Sequence, residues 1–490
     1  MTQTAPDHVA MTAPTGRWFS LDAGPIVVAA FFGALVVAIA ALIVAAPPLR
    51  LGGLIAGPIL LVAWLAAATL GARQGGAPLR ALAGAIAGVG TALLLLIFLG
   101  SLLTRPMVAD PASAPDGAPV AALRPGAPIL VAGFLGLGAV MGVLGSTVAR
   151  LRPAARPSQW PWTARLALIA TAATLPLLLL GGLVTSTESG MAVPDWPGSY
   201  GANMFLFPVG LMAEPRVFLE HSHRLFGSLV GAATVATALG VHFGRPGGAR
   251  AGSAARVVAW IAVPLVIIQG VLGGTRVTEN NLGLAIGHGI LGQVFFMTLA
   301  ALVAMLLPAW ATRPATPTGL ARLAKVLLGL LLVQLCFGAV FRHLGSRGVH
   351  GLYSHIALSL VIVVLAPIVG ARLARAASEG GAPGQSRRIG KAISHATAFQ
   401  FLLGWGALAG AMMGSSRGPV PLHTQLAEAA RVPLWEVVLT TLHQANGAIL
   451  LVMAGLAVVW TCRRLHAAGG GAPASANSRA TSPGGSDATA

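Results

Sequence analysis

Long apolar runs alternate with short polar segments over almost the whole chain, from Gly24 to Cys462. A helix needs roughly 20 apolar residues, at 1.5 Å each, to cross a hydrocarbon core of about 30 Å. Twelve runs meet that length, at about 24–46, 53–71, 81–103, 127–149, 166–186, 217–243, 257–275, 282–308, 323–341, 349–371, 396–414 and 437–462. The pattern predicts an all-α integral membrane protein with about twelve transmembrane helices. Compositional breaks divide it into a polar N-terminal segment (1–23), a four-helix unit (24–149), a basic linker (150–165), two four-helix units (166–308 and 323–465), and a Gly/Ser/Ala-rich tail (466–490) expected to be disordered.

Composition supports the same class. Of 490 residues, 56% are hydrophobic and 9% charged, and the mean hydropathy is +0.80. An average soluble domain carries roughly 25% charged residues, so a water-exposed surface cannot be tiled from this chain. The net charge of +18 would suggest nucleic acid on a soluble protein, but here it reports orientation. With the N-terminus cytoplasmic, 21 of the 31 Lys and Arg residues fall in cytoplasmic segments, while Asp110, Asp116, Glu188, Asp195, Glu214, Glu279, Glu428 and Glu436 fall outside. The excess charge is spread over short loops, which leaves no nucleic-acid surface. Residues 1–22 lack the basic start and cleavage site of a signal peptide, so the first span is expected to be retained. Cys336 and Cys462 are far apart, with no CxxC spacing for zinc or redox chemistry, and are not expected to pair.

Histidine is costly inside a span and marks function there by default. The first four spans contain none. His223, His288, His355 and His443 each lie about six residues into alternate helices of the last eight, all running inward, roughly 9 Å below the outer surface. Chance would scatter four such residues. The simplest architecture pairs His223 with His288 and His355 with His443, one facing pair per bundle. Two imidazoles at matched depth suit axial ligation of heme iron, whereas zinc would need further ligands. Gln269-x-x-x-Gly273 and Gln334-x-x-x-Gly338 share a local pattern that supports duplication. His221 lies on another face of the His223 helix, in a supporting role or simply near the interface. His343, His350, His423, His8, His242, His395 and His466 receive no role.

Glu220 precedes His223 by three residues and so shares its helix face. The matching positions Leu352 and Thr440 cannot titrate, which makes the two histidine sites chemically unequal. One has a carboxylate able to take protons or position water, and the other is suited to hold a cofactor. Arg224, four residues beyond Glu220, can pair with it. Arg224 and Arg276 at the first bundle, and Arg342 and Arg347 at the second, are candidates for heme propionates or for supporting the site.

Gly181-Gly-Leu-Val-Thr-Ser-Thr-Glu-Ser-Gly-Met-Ala-Val-Pro-Asp-Trp-Pro197, followed by Glu220-His-Ser-His-Arg224, closely resembles the heme A synthase family. Gln269 to Gly274, His288, His355 and His443 continue the likeness, which covers about 165–465. The resemblance implies eight helices in two pseudo-symmetric bundles and oxidation of the C8 methyl of heme O to a formyl group, giving heme A for cytochrome c oxidase. It further implies heme b on His355 and His443 as electron carrier, heme O at His223 and His288, and Glu220 as the essential carboxylate. The reaction would run by two hydroxylations and loss of water. Implied partners are heme O synthase, cytochrome c oxidase assembly factors, an electron donor and the lipid bilayer. The implied location is the inner or plasma membrane, with both termini cytoplasmic and the heme sites near the outer face.

Two features depart from the family. Val193 stands just before Pro-Asp-Trp-Pro, and the loop from Thr185 to Arg216 lacks the cysteine pair of some members. The four N-terminal spans lie outside the family pattern. They are not a fused heme O synthase, which needs Asp-rich diphosphate motifs, since Asp110 and Asp116 are the only acids there. The main alternative function is a bis-histidine di-heme cytochrome that exchanges electrons with a quinone, against which Glu220 argues. A secondary transporter is a more distant one, because such proteins bind near the midplane.

Overall fold

The computed structural model describes residues 23–74, 78–110, 119–151, 159–246, 251–310, 318–379, 384–413 and 432–463. The expectations for the polar N-terminal segment, Asp116, Glu428, His423 and the C-terminal tail lie outside these residues, as does most of the basic linker.

Twelve long helices account for nearly all of the described chain. They are α1 (Ala23–Ala45), α2 (Gly53–Arg73), α3 (Ala81–Leu99), α4 (Ala127–Leu151), α5 (Trp162–Ser186), α6 (Pro215–Phe243), α7 (Ser253–Thr278), α8 (Leu282–Leu306), α9 (Thr318–Leu344), α10 (Val349–Glu379), α11 (Gly384–Met413) and α12 (Leu434–Cys462). Eleven of them are long and apolar enough to cross a membrane, which makes this an all-α, multi-pass membrane protein. α11 is not among the eleven; its first turns carry Arg387, Arg388 and Lys391.

Helix starts follow local chemistry. The Glu214 side chain accepts from the Val217 amide at 2.8 Å, and Pro215 at the first helical position has no N–H in need of an acceptor, so α6 begins there. Asn281 caps α8 by accepting from Gly283 and Leu284. The linker expectation needs correction at its end, because α5 starts at Trp162 instead of near 166. Trp162 fills a notch that a Cβ on Gly24, Gly240 or Gly244 would close. α10 and α11 likewise extend into polar turns beyond their apolar stretches, since backbone hydrogen bonding continues after hydropathy falls.

Packing closes the helices into rings of four. α1, α2, α4 and α3 form one, α5 to α8 a second and α9 to α12 a third, with α12 also packing on α5 and α8. The first ring is not a separate lobe. Val28, Phe31 and Leu95 share one buried core with Leu166, Phe226, Leu229 and Phe295, and Phe98 meets Phe226 edge-on at 4.9 Å. Beyond the helix ends lie two short antiparallel pairs, β1 (Thr104–Pro106) with β2 (Ala121–Leu123) and β3 (Gly198–Ser199) with β4 (Ala202–Asn203).

Candidate functional site: two histidine pairs on one cavity

The four span histidines lie toward the N-terminal ends of α6, α8, α10 and α12, six to nine residues in, or about 9 to 14 Å along each axis. They meet in the expected pairs. The ring centroids of His223 and His288 are 6.2 Å apart, and those of His355 and His443 are 6.1 Å apart. Two imidazoles bonded at about 2.0 Å on opposite sides of one metal have centroids roughly 6 Å apart. Among the described residues no three His, Cys, Asp or Glu side chains cluster.

One feature repeats at all four histidines. A glycine of the preceding helix lies under each ring: Gly181 under His223, Gly273 under His288, Gly338 under His355 and Gly404 under His443. A Cβ built on these glycines would lie 3.3, 2.9, 3.0 and 3.4 Å from the respective Cε1 atoms, so the rings fill the space side chains would occupy. Four residues before three of the glycines stands a glutamine whose side chain donates to the histidine's own carbonyl. Gln269 reaches His288 at 3.2 Å, Gln334 reaches His355 at 2.9 Å and Gln400 reaches His443 at 3.0 Å. Leu177 holds the fourth position. Gln400 and Gly404 repeat the Q-x-x-x-G spacing without having been singled out, and Gly181 entered only as the first residue of a motif, because loops of very different length separate each glycine from its histidine.

Ring hydrogen bonding differs between the pairs. His355 Nδ1 is 3.0 Å from the Gln334 carbonyl, which leaves Nε2 for a ligand. The buried Nδ1 atoms of His223 and His288 have no such partner. Both pairs border one continuous cavity of about 3140 Å³, while ordinary ligand pockets run to about 1,000 Å³. The Ser186 and Thr440 hydroxyls, 2.8 Å apart, tie α5 to α12 between the pairs.

Glu220 also borders the cavity, with only 4% of its surface exposed, and is the one buried carboxylate among the described residues. Its Oε2 accepts from the Val193 amide at 3.0 Å and its Oε1 from Arg224 at 2.7 Å. Arg224 donates further to the carbonyls of Val193, Asp195 and Gly198, at 2.8, 2.6 and 2.9 Å. Those bonds make Arg224 the clamp between Glu220 and the 187–214 loop, the supporting half of its expected role. His221 is fully buried on the opposite side, 3.1 Å from Ser199 Oγ and against the Phe207 ring, and supports the loop without lining the cavity.

Arg276 borders the cavity and donates to the Gly190 carbonyl at 2.9 Å. Arg342 bonds the Thr185 carbonyl and pairs with Glu188 at 3.1 Å, and exposed Arg347 lies at the cavity margin with His343. The expectation that no acid accompanies the second pair needs correction, because Glu436 on α12 borders the cavity two turns before His443. In the loop itself, burial and then the carboxylates of Glu220, Asp110, Glu214 and Asp195 raise the Tyr200 phenol above its ordinary range, so it stays a donor to the Ala192 carbonyl.

Compared with family models, curated proteins and solved structures, the chain matches none.

Proposed function

We propose that the chain is a heme A synthase, oxidising the C8 methyl of heme O to a formyl group by successive hydroxylations. The observation that carries this reading is an asymmetry between two otherwise repeated sites. Each has a facing histidine pair over glycines, and among the described residues only the first has a buried carboxylate, Glu220, within one turn of one of its histidines. A protein that only passed electrons would have no use for that acid. The motif likeness over Gly181–Pro197 and Glu220–Arg224 points the same way.

The donor sets fit the cofactor and the substrate. His355 and His443 would hold heme b, with Gln334 and Gln400 fixing their helix positions. When bound, that group supplies one-electron transfer. His223 and His288 would hold heme O as substrate. Glu220 would take up or position protons beside the reacting methyl, fixed by Arg224 and the Val193 amide. Arg276 and Arg347, both on the cavity wall, are the guanidinium groups offered to propionates.

In this reading α11 is the twelfth span, and the rings α5 to α8 and α9 to α12 are tandem pseudo-symmetric bundles. Both termini face the cytoplasm of a cell whose inner or plasma membrane holds the protein. The distribution of basic residues supports that orientation. Heme O synthase and the assembly of cytochrome c oxidase would supply the substrate and consume the product.

Heme extraction and chromatography from cells that make heme O, with and without this protein, tests the function. Heme A is expected only with the protein and is lost in Glu220→Ala. An unchanged heme A yield in that variant would sink the catalytic assignment.

A further inference from the structure

The N-terminal helices have no place in the chemistry proposed above, yet they reach the first histidine site at four points. The Thr104 hydroxyl on β1 donates to the Leu206 carbonyl at 2.7 Å. Arg50, just after α1, donates to the Ala213 carbonyl. Val120, 3% exposed, is buried in a cluster with Val193, Phe207, Leu211 and Phe218, against Leu42 and Ala45 of α1. Ala109, Asp110, Pro119 and Val120 also border the cavity that His223 and His288 border.

These contacts converge on one residue. Val193 is fully buried in that cluster, its amide donates to Glu220 and its carbonyl accepts from Arg224. A well-packed cluster transmits displacement because it has little free volume to absorb it. We infer that the N-terminal unit, whose segment between α3 and α4 forms part of the cavity wall, acts as a positioning element, holding the 187–214 loop so that Val193 sets the Glu220 carboxylate. Thr104 and Val120 are the positioning residues. The functional arm of the test rests on the proposed role of Glu220, and the structural arm does not.

Hydrogen–deuterium exchange on the full-length protein in lipid nanodiscs reads the structural arm. In the Thr104→Val, Val120→Ala double variant, amides over 192–212 should exchange about tenfold faster, with those of α10 and α12 unchanged. Reverting position 104 to a hydroxyl, as Thr104→Ser with Val120 intact, should restore wild-type exchange. Unchanged exchange over 192–212, or equal acceleration throughout α12, overturns the inference. In the functional arm, heme A yield should fall in the double variant while the absorbance of the second pair persists. Faster loop exchange with a wild-type yield would break the link to Glu220. A wild-type chain that makes no heme A would instead refute the proposed function, leaving the exchange result to decide the wall on its own.

Discussion

Gln334 holds His355 at two points: its side-chain amide donates to the His355 carbonyl at 2.9 Å, and its own carbonyl lies 3.0 Å from His355 Nδ1. One residue of α9 thereby fixes both the height of α10 and the rotation of the ring. Gln334→Leu removes the first bond and keeps the second, at a cost of about 1 kcal/mol in stability. The b-type absorbance should survive, with a lower melting temperature. His355→Ala and His443→Ala should each abolish that absorbance, and a normal low-spin spectrum in both would refute the cofactor pair.

Glu220→Gln keeps an acceptor for the Val193 amide and removes the charge. If the carboxylate handles protons, heme A yield should fall by roughly 100-fold or more while heme b content stays at the wild-type level. A yield within a factor of two of wild type would show that only the hydrogen bond matters.

The glycines under the rings differ in clearance. A Cβ on Gly273 would lie 2.9 Å from His288, inside normal contact, whereas on Gly404 it would lie 3.4 Å from His443. Gly273→Ala should therefore displace its imidazole, at about 1–3 kcal/mol for the overpacking. Gly404→Ala should be tolerated. Electron paramagnetic resonance of each site would report the difference, and equal perturbation by both substitutions would contradict it.

The two ion pairs should differ as their burial does. Arg224→Ala strands the buried Glu220 carboxylate and removes the donors to three loop carbonyls, for a loss of about 3–5 kcal/mol. Arg342 and Glu188 are 41% and 31% exposed at the side chain, so the solvent-screened pair that Arg342→Ala breaks is worth less than about 1 kcal/mol. Thermal unfolding in detergent should rank Arg224→Ala well below Arg342→Ala.

The helices and the depth of their histidines were legible in hydropathy and spacing. Bilayer thickness imposes a length on every span, so hydropathy alone located twelve helices to within a few residues over most of the chain. Only at α10 and α11 did helices run well past their apolar stretches. The pairing of His223 with His288 and His355 with His443 was also legible, because four imidazoles at one depth within the spans have few partners. Tertiary structure alone decided what surrounds them. Glycine 181, Gln400 and Gly404 come to their histidines only when adjacent helices pack, across loops whose length carries no signal. The same holds for Arg224, which spacing left between a propionate ligand and a support, and whose hydrogen bonds bind it to the loop over Glu220. The contact of the N-terminal helices with Val193 was the least legible, since burial in a shared apolar cluster leaves no motif in either segment.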